Sequence, residues 1–414
     1  MKRVVFVAPF FMSATLRFVH AVASLPGVRL GLISQAPLSS LPSAVRQRVA
    51  GHYQVKDALD AGQLARAAKF LAVRMGGLDR LLGALEQLQI QLGQVRDHLG
   101  IEGMSAAVAK NFRDKGRMKT VLSRSGLPCA RHATASSKAA ARAAAESFGY
   151  PLVIKPPDGA AAVATYRVSD RGQLEQVLAA LHPRPARPVV IEEFITGKEN
   201  SLETVCIRGQ AVWDSHTRYN PAPLHVLENP WIQWTVLLPR EVDDADTAAV
   251  RRPARASLSA LGMYTGLSHM EWFHTERGAV ISEVAARPPG AQIIPLNSYA
   301  HETDFYRLWA QLLVFDTWEV PPRKYATGAA FFRGQRLRRP GESGAAGRIV
   351  RIHGLERAQR EVGELVIEAN LPRLGAGKRK SYEGDGYAIL RHPDTEVVER
   401  ALARLVALVQ VEVA

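Results

Sequence analysis

The chain has 414 residues, 47% of them hydrophobic, enough to build two or three packed cores. Its 53 lysines and arginines against 39 acidic residues leave a net charge of +14, yet the basic clusters at Arg251-Arg252, Arg336 to Arg339 and Lys378 to Lys380 lack the aromatic interleaving of a base-stacking surface. The charge therefore points to an anionic substrate or cofactor and away from nucleic acid. No apolar run approaches the roughly 20 residues that span a bilayer. Pro9 interrupts the apolar start, and Cys129 and Cys206 have no metal-ligand spacing, so a cytoplasmic, reduced chain with no membrane partner is expected.

Residues 1 to about 100 alternate strand and helix: VVFVAPF, a helix from about Ser13, then VRLGLIS. That order predicts a small parallel α/β layer, and without a G-x-G-x-x-G turn it receives no dinucleotide. Leu78 to Leu99 carries helix-spaced apolar residues. In NFRDKGRMKTVLSRSGLP, Asp114 suits an N-cap and Gly126 with Pro128 ends the helix. Lys115 falls in its first turn, where a lysine opposes the helix dipole; it is either harmless surface or held there by a bound anion.

Ser136 or Ser137 caps AAARAAAESF, and PLVIKPP is a strand ending at Lys155. The loop DGAAAVA and TYRV make a hairpin whose small tip could fold over a polyphosphate, although an ordinary hairpin fits equally. Asp170 starts a helix, and VVIEEFI is the next strand. GKENSLETVCIRGQAVWDS reads as two more strands, followed by a long aromatic and proline-rich loop, HTRYNPAPLHVLENPWIQW. A helix from about Asp243 should kink or break at Pro253, and TDFYRLWAQLLVF is an amphipathic helix. The last hundred residues are strand-rich with a closing helix whose buried stripe is Val398, Ala401, Leu402, Leu405, Val406 and Val409.

Between these elements lies SHMEWFHTERGAVISEVAARPPG, Ser268 to Gly290, a β-hairpin around a three-residue loop, Glu276-Arg277-Gly278. A loop centred on Arg277 sets Glu271 opposite Glu283, and alternation adds His269, Ala285 and Arg287 to the same face. Opposed carboxylates repel. Either both splay apart on a wet face, or they hold a hard divalent cation, since Mg²⁺ takes one or two carboxylates plus phosphate oxygens.

In order and spacing these pieces resemble the ATP-grasp superfamily, most closely its carboxylate–amine ligases, which include bacterial L-amino-acid (dipeptide) ligases. The resemblance covers roughly residues 100 to 315. It implies an α/β (α+β) architecture: an N-terminal Rossmann-like domain (1–100), an ATP-grasp region (101–315) with a small lid at about 130–195, and a C-terminal strand-rich α+β domain (316–414). It implies ATP and Mg²⁺, with Mn²⁺ as a substitute. The two phosphate- and adenine-contacting lysines match Lys115 and Lys155; the adenine strand matches Glu192, whose side chain would accept from the amino group, and the backbone of Glu193, Phe194 and Ile195; the ribose acid matches Glu199; the metal carboxylates match Glu271 and Glu283.

The reaction so implied joins a small carboxylic acid to an amine, amino acids foremost, through an acyl phosphate. Arg287 would hold that intermediate or the oxyanion, and His269 would orient the substrate carboxylate, act as a base, or be a structural histidine. Arg218, Tyr219 and Trp231 are substrate-recognition candidates or loop packing. Two departures stand out: Ala285 replaces an asparagine common two residues after the second metal carboxylate, so that ligand comes from elsewhere or from water, and the phosphate loop is poor in glycine. Alternatives are a biotin-carboxylase-like enzyme and a nucleotide-binding protein without catalysis. Many relatives are homodimers, which is the one ground for expecting a dimer.

Overall fold

The computed structural model describes residues 1–159, 165–243, 245–335, 347–379 and 381–414. The glycine-poor tip at Ala160 to Ala164 and the basic run Arg336 to Arg339 lie outside them.

Near the N-terminus a parallel sheet has the strand order Val49–Gln54, Val28–Ser34, Lys2–Val7, Arg80–Leu82. Its inner strands Lys2–Val7 and Val28–Ser34 are largely apolar because both faces are covered. Helices Ala61–Met75 and Gln89–Leu99 bury one face. The other face is buried by Ser13–Ala23 and by Phe305–Phe315, a helix from far along the chain. The expected helix over Leu78 to Leu99 is therefore three pieces: strand Arg80–Leu82, a 3-10 turn Glu86–Leu88, and helix Gln89–Leu99.

An eight-stranded antiparallel sheet forms the centre, in the order Gly278–Ala285, Gly266–Thr275, Lys198–Ile207, Gln210–Asn220, Trp234–Leu238, Ala326–Phe332, Gly386–His392, Val366–Asn370. The helices Lys115–Arg124 and Ala245–Leu261 cover one face at the hairpin end through Met118, Leu122, Leu258, Met270 and Trp272. Helix Thr395–Leu408 closes the far end with the expected stripe. Across from the hairpin's other face stands a four-stranded sheet, His132–Ala135, Val189–Glu193, Leu152–Lys155 and Tyr166–Val168, backed by helices Lys138–Phe148 and Arg171–Leu181.

Two loop expectations are corrected. The segment read as a long loop continues the strand Gln210–Asn220, then forms a short helix, Pro223–Glu228, before strand Trp234–Leu238. Trp234 serves burial, its ring stacking on Phe331 at 4.8 Å. Helix Ala245–Leu261 also runs through Pro253 without a break, and Ser257 Oγ donates to the Pro253 carbonyl at 2.6 Å. Among the described residues no helix is long and apolar enough to cross a membrane.

Candidate active site

The hairpin pairs Glu271 with Glu283 and His269 with Ala285, as alternation requires. The turn differs from expectation. Thr275 pairs with Gly278, leaving a two-residue loop, Glu276-Arg277, and Gly278 takes φ 95°. Continued without interruption, that register would set Glu271 against Ser282. An irregularity between Glu271 and Trp272 leaves Ser282 as an extra residue and restores the carboxylate pair. The Ser282 carbonyl accepts from Lys119 Nζ at 2.8 Å.

Cross-strand pairs Glu271 with Ser201, His269 with Glu203 and Thr217 with Ser201 put all of these side chains on one sheet face, together with Glu199 and Tyr219 by alternation. This face and the four-stranded sheet enclose a cavity of about 440 Å³. Lys115, Lys155, Glu192, Glu193, Phe194, Ile195, Glu199, Tyr219, His269, Glu271, Glu283 and Arg287 all line it. Arg218 and Trp231 do not: Arg218 alternates to the opposite sheet face from Tyr219, and Trp231 is half exposed.

Lys115 occupies the first position of its helix, after the Asp114 cap. Its ammonium lies 2.8 Å from Glu283 Oε1 and donates to the Gly159 carbonyl at 2.6 Å. Burial pushes the Glu283 carboxyl up, but Lys115 and Lys155 outweigh it and hold it down at about 2. At Glu199, burial and the charges of Glu271 and Glu283 outweigh Lys155 and raise it to about 8.

Sequence reasoning missed three residues of this site. Lys119 is fully buried and stands 3.3 Å from Glu192 Oε2, while Lys155 is 3.0 Å from Glu192 Oε1. Both Glu192 oxygens thus face lysine ammoniums. Glu203 is buried under Ser201 Oγ, Thr217 Oγ1 and His269 Nδ1, each donating at 2.8 Å. The third, Glu86, reaches in from the N-terminal layer, 2.9 Å from Arg287 Nε and 3.3 Å from Arg113. Helical periodicity reports apolar residues, so a lone acid in a turn gave no signal.

His269 lies between two acids, with Nε2 3.8 Å from Glu271. Burial lowers its pKa, but Glu203 and Glu271 prevail and lift it to about 9. That direction favours the protonated ring, which suits orienting a carboxylate.

Among the described residues no group of three or more His, Cys, Asp or Glu side chains stands ready to hold a metal. The Glu271/Glu283 pair, however, fits the Mg²⁺ pattern of two carboxylates completed by phosphates and water. An ammonium already rests on Glu283, and burial with the charges of Glu271 and Glu283 raises Glu199, so added positive charge on this wall would meet carboxylates.

A family model for the ATP-grasp domain matches residues 120–297. The chain is 23% identical over 251 residues to the L-arginine-specific L-amino acid ligase of Bacillus subtilis, an alignment covering 59% of this chain and 60% of that one. The chain spans only 21% of a Streptomyces avermitilis carbamoyl phosphate synthase large chain that it matches at 24% identity. In fold, it resembles the L-amino acid ligase from Bacillus licheniformis with a TM-score of 0.76 and 18% identity, covering 99% of this chain and 98% of the other.

Proposed function

We propose that this protein is an ATP- and Mg²⁺-dependent carboxylate–amine ligase that forms an amide bond between small molecules, amino acids foremost, and releases ADP and phosphate. The observation that carries the reading is the opposition of Glu271 and Glu283 on the wall of a cavity that also receives Lys115 and Lys155. Glu271 and Glu283 would hold Mg²⁺, which supplies charge neutralisation on the transferring phosphoryl group. Lys115 and Lys155 add point charges to the phosphates. The adenine lies against Phe194 and Ile195, with the backbone of Glu193 to Ile195 supplying its hydrogen bonds, and Glu199 receives the ribose.

In the first step a carboxylate oxygen of the acid attacks the γ-phosphorus, the bond to the ADP oxygen breaks, and an acyl phosphate forms. In the second, the amine nitrogen attacks the acyl carbon, phosphate leaves and the nitrogen gives up a proton. Arg287, aimed by Glu86, would hold the acyl phosphate or the acyl oxygen that gains charge when the amine attacks. His269 acts through Glu271, which it steadies from Glu203.

Phosphate release from Mg-ATP across pairs of amino acids and simple acids tests the reading. Release that requires one acid together with one amine is expected. Glu283→Ala and Lys155→Ala should each lower turnover by at least about a hundredfold, the scale of losing one preorganised charge in a dry site, with the fold retained. Full activity in either variant would sink the assignment.

A further inference from the structure

The nucleotide takes the charged part of the cavity and the apolar wall at Ala130, Val153 and Phe194. A second apolar wall then has no task. It consists of Leu224 and Leu227 of the helix Pro223–Glu228, Trp234, Ile293 and the ring of Tyr382. The charged lining residues of that helix, His225 and Glu228, are exposed at its rim.

Tyr382 comes from beyond the ATP-grasp match, and several contacts fix it. Its carbonyl accepts from Trp234 Nε1 at 2.9 Å, and the two rings are 5.9 Å apart. Next to it, Glu383 accepts from the Ala291 N–H and from Gln292 Nε2, both at 3.1 Å. A side chain at Gly290 would overlap the Tyr382 hydroxyl, so glycine there admits it. That hydroxyl lies within electrostatic reach of Arg287.

We propose that the acid substrate carries an aliphatic or aromatic side chain, which lies on Leu224, Leu227 and Trp234 while a carboxyl oxygen accepts a hydrogen bond from Tyr382 beside Arg287. The inference rests on the ligase reading. A charged side chain on that wall would lose its water without gaining a partner, whereas each buried methylene adds to binding.

The test is steady-state phosphate release with acids of similar size bearing apolar, acidic or basic side chains, each with a mixture of amines. The best apolar acid should exceed the best charged acid at least tenfold in kcat/KM. Leu227→Asp should raise KM for that acid tenfold or more while KM for ATP stays within twofold. Tyr382→Phe should lower kcat about tenfold with ATP binding and melting temperature unchanged. A charged acid as the best substrate, or wild-type parameters in both variants, overturns this inference and leaves the ligase reading standing. No release with any acid, while Mg-ATP still binds, overturns both.

Discussion

At His301 the ring is wedged between a carbonyl and a cation. Nδ1 faces the Pro321 carbonyl at 2.6 Å and so carries the proton, which leaves Nε2 to accept from Arg323 Nε at 3.3 Å. A second proton would meet that guanidinium. Burial first, and Arg323 second, depress the pKa to about 4. Between that value and the ordinary 6.5 the unfolded chain binds the proton and the folded one does not, so stability falls as pH drops through this window, by roughly 3 kcal/mol in full. Denaturant midpoints at pH 7 and pH 4.5 should diverge less in His301→Gln than in the wild type; equal divergence would refute the argument. Lys119 presents the opposite case, a buried charge that folding must keep. Lys119→Met leaves Glu192 with Lys155 alone, and a loss of about 3 kcal/mol is expected in unfolding experiments. Neither residue stood out in the sequence. Lys115 and Lys155 did, because each adjoins a legible helix or strand end, whereas Lys119 sits mid-helix, where a lysine usually points to water.

The hairpin shows how an element can be right through two errors that cancel. Alternation placed Glu271 opposite Glu283, while the turn is one residue tighter than expected and the extra residue at Ser282 makes up the difference. Bulges have no composition signature, so only the net register was legible. The helix Lys138–Phe148 came through behind Ser137, one of its two candidate caps, whereas Phe305–Phe315 starts two residues later than read, behind Asp304. The helix Ile293–His301 escaped notice because its residues are buried almost all round and it begins with Gln292 in a left-handed conformation, which no standard start signal announces. The approach to that helix carries a prediction. Gly290→Ala should push Tyr382 out of the cavity, so acid-dependent phosphate release should fall at least tenfold while ATP binding persists; unchanged release would show that the close packing is not required.

Across the whole molecule, the N-terminal layer is tied to the rest by several contacts, Arg80 with Asp316 among them. Glu86 grips Arg287 at the cavity. On the far side Arg17 reaches Tyr306, and the Glu368 carboxylate accepts from the hydroxyls of Tyr299 and Tyr387, each at 2.6 Å. The division at residue 100 read from the sequence misses this sharing, because cores built from Phe18 and Trp309 join residues nearly three hundred apart. Pattern reading works along the chain and does not see such pairings. The charge of +14 likewise turned out to be less informative than its placement, since lysines and acids meet in pairs inside the cavity.

The Lys115–Glu283 contact has a consequence for the order of events. Glu283 already has a counter-ion 2.8 Å away, so a divalent ion arriving alone must compete with a tethered ammonium. Phosphates draw that lysine off and bring oxygens of their own. Metal and nucleotide are therefore expected to enter as one complex: calorimetric titration with MgCl₂ alone should show affinity at least tenfold weaker than titration of the ATP-loaded protein, and Lys115→Met should narrow the gap.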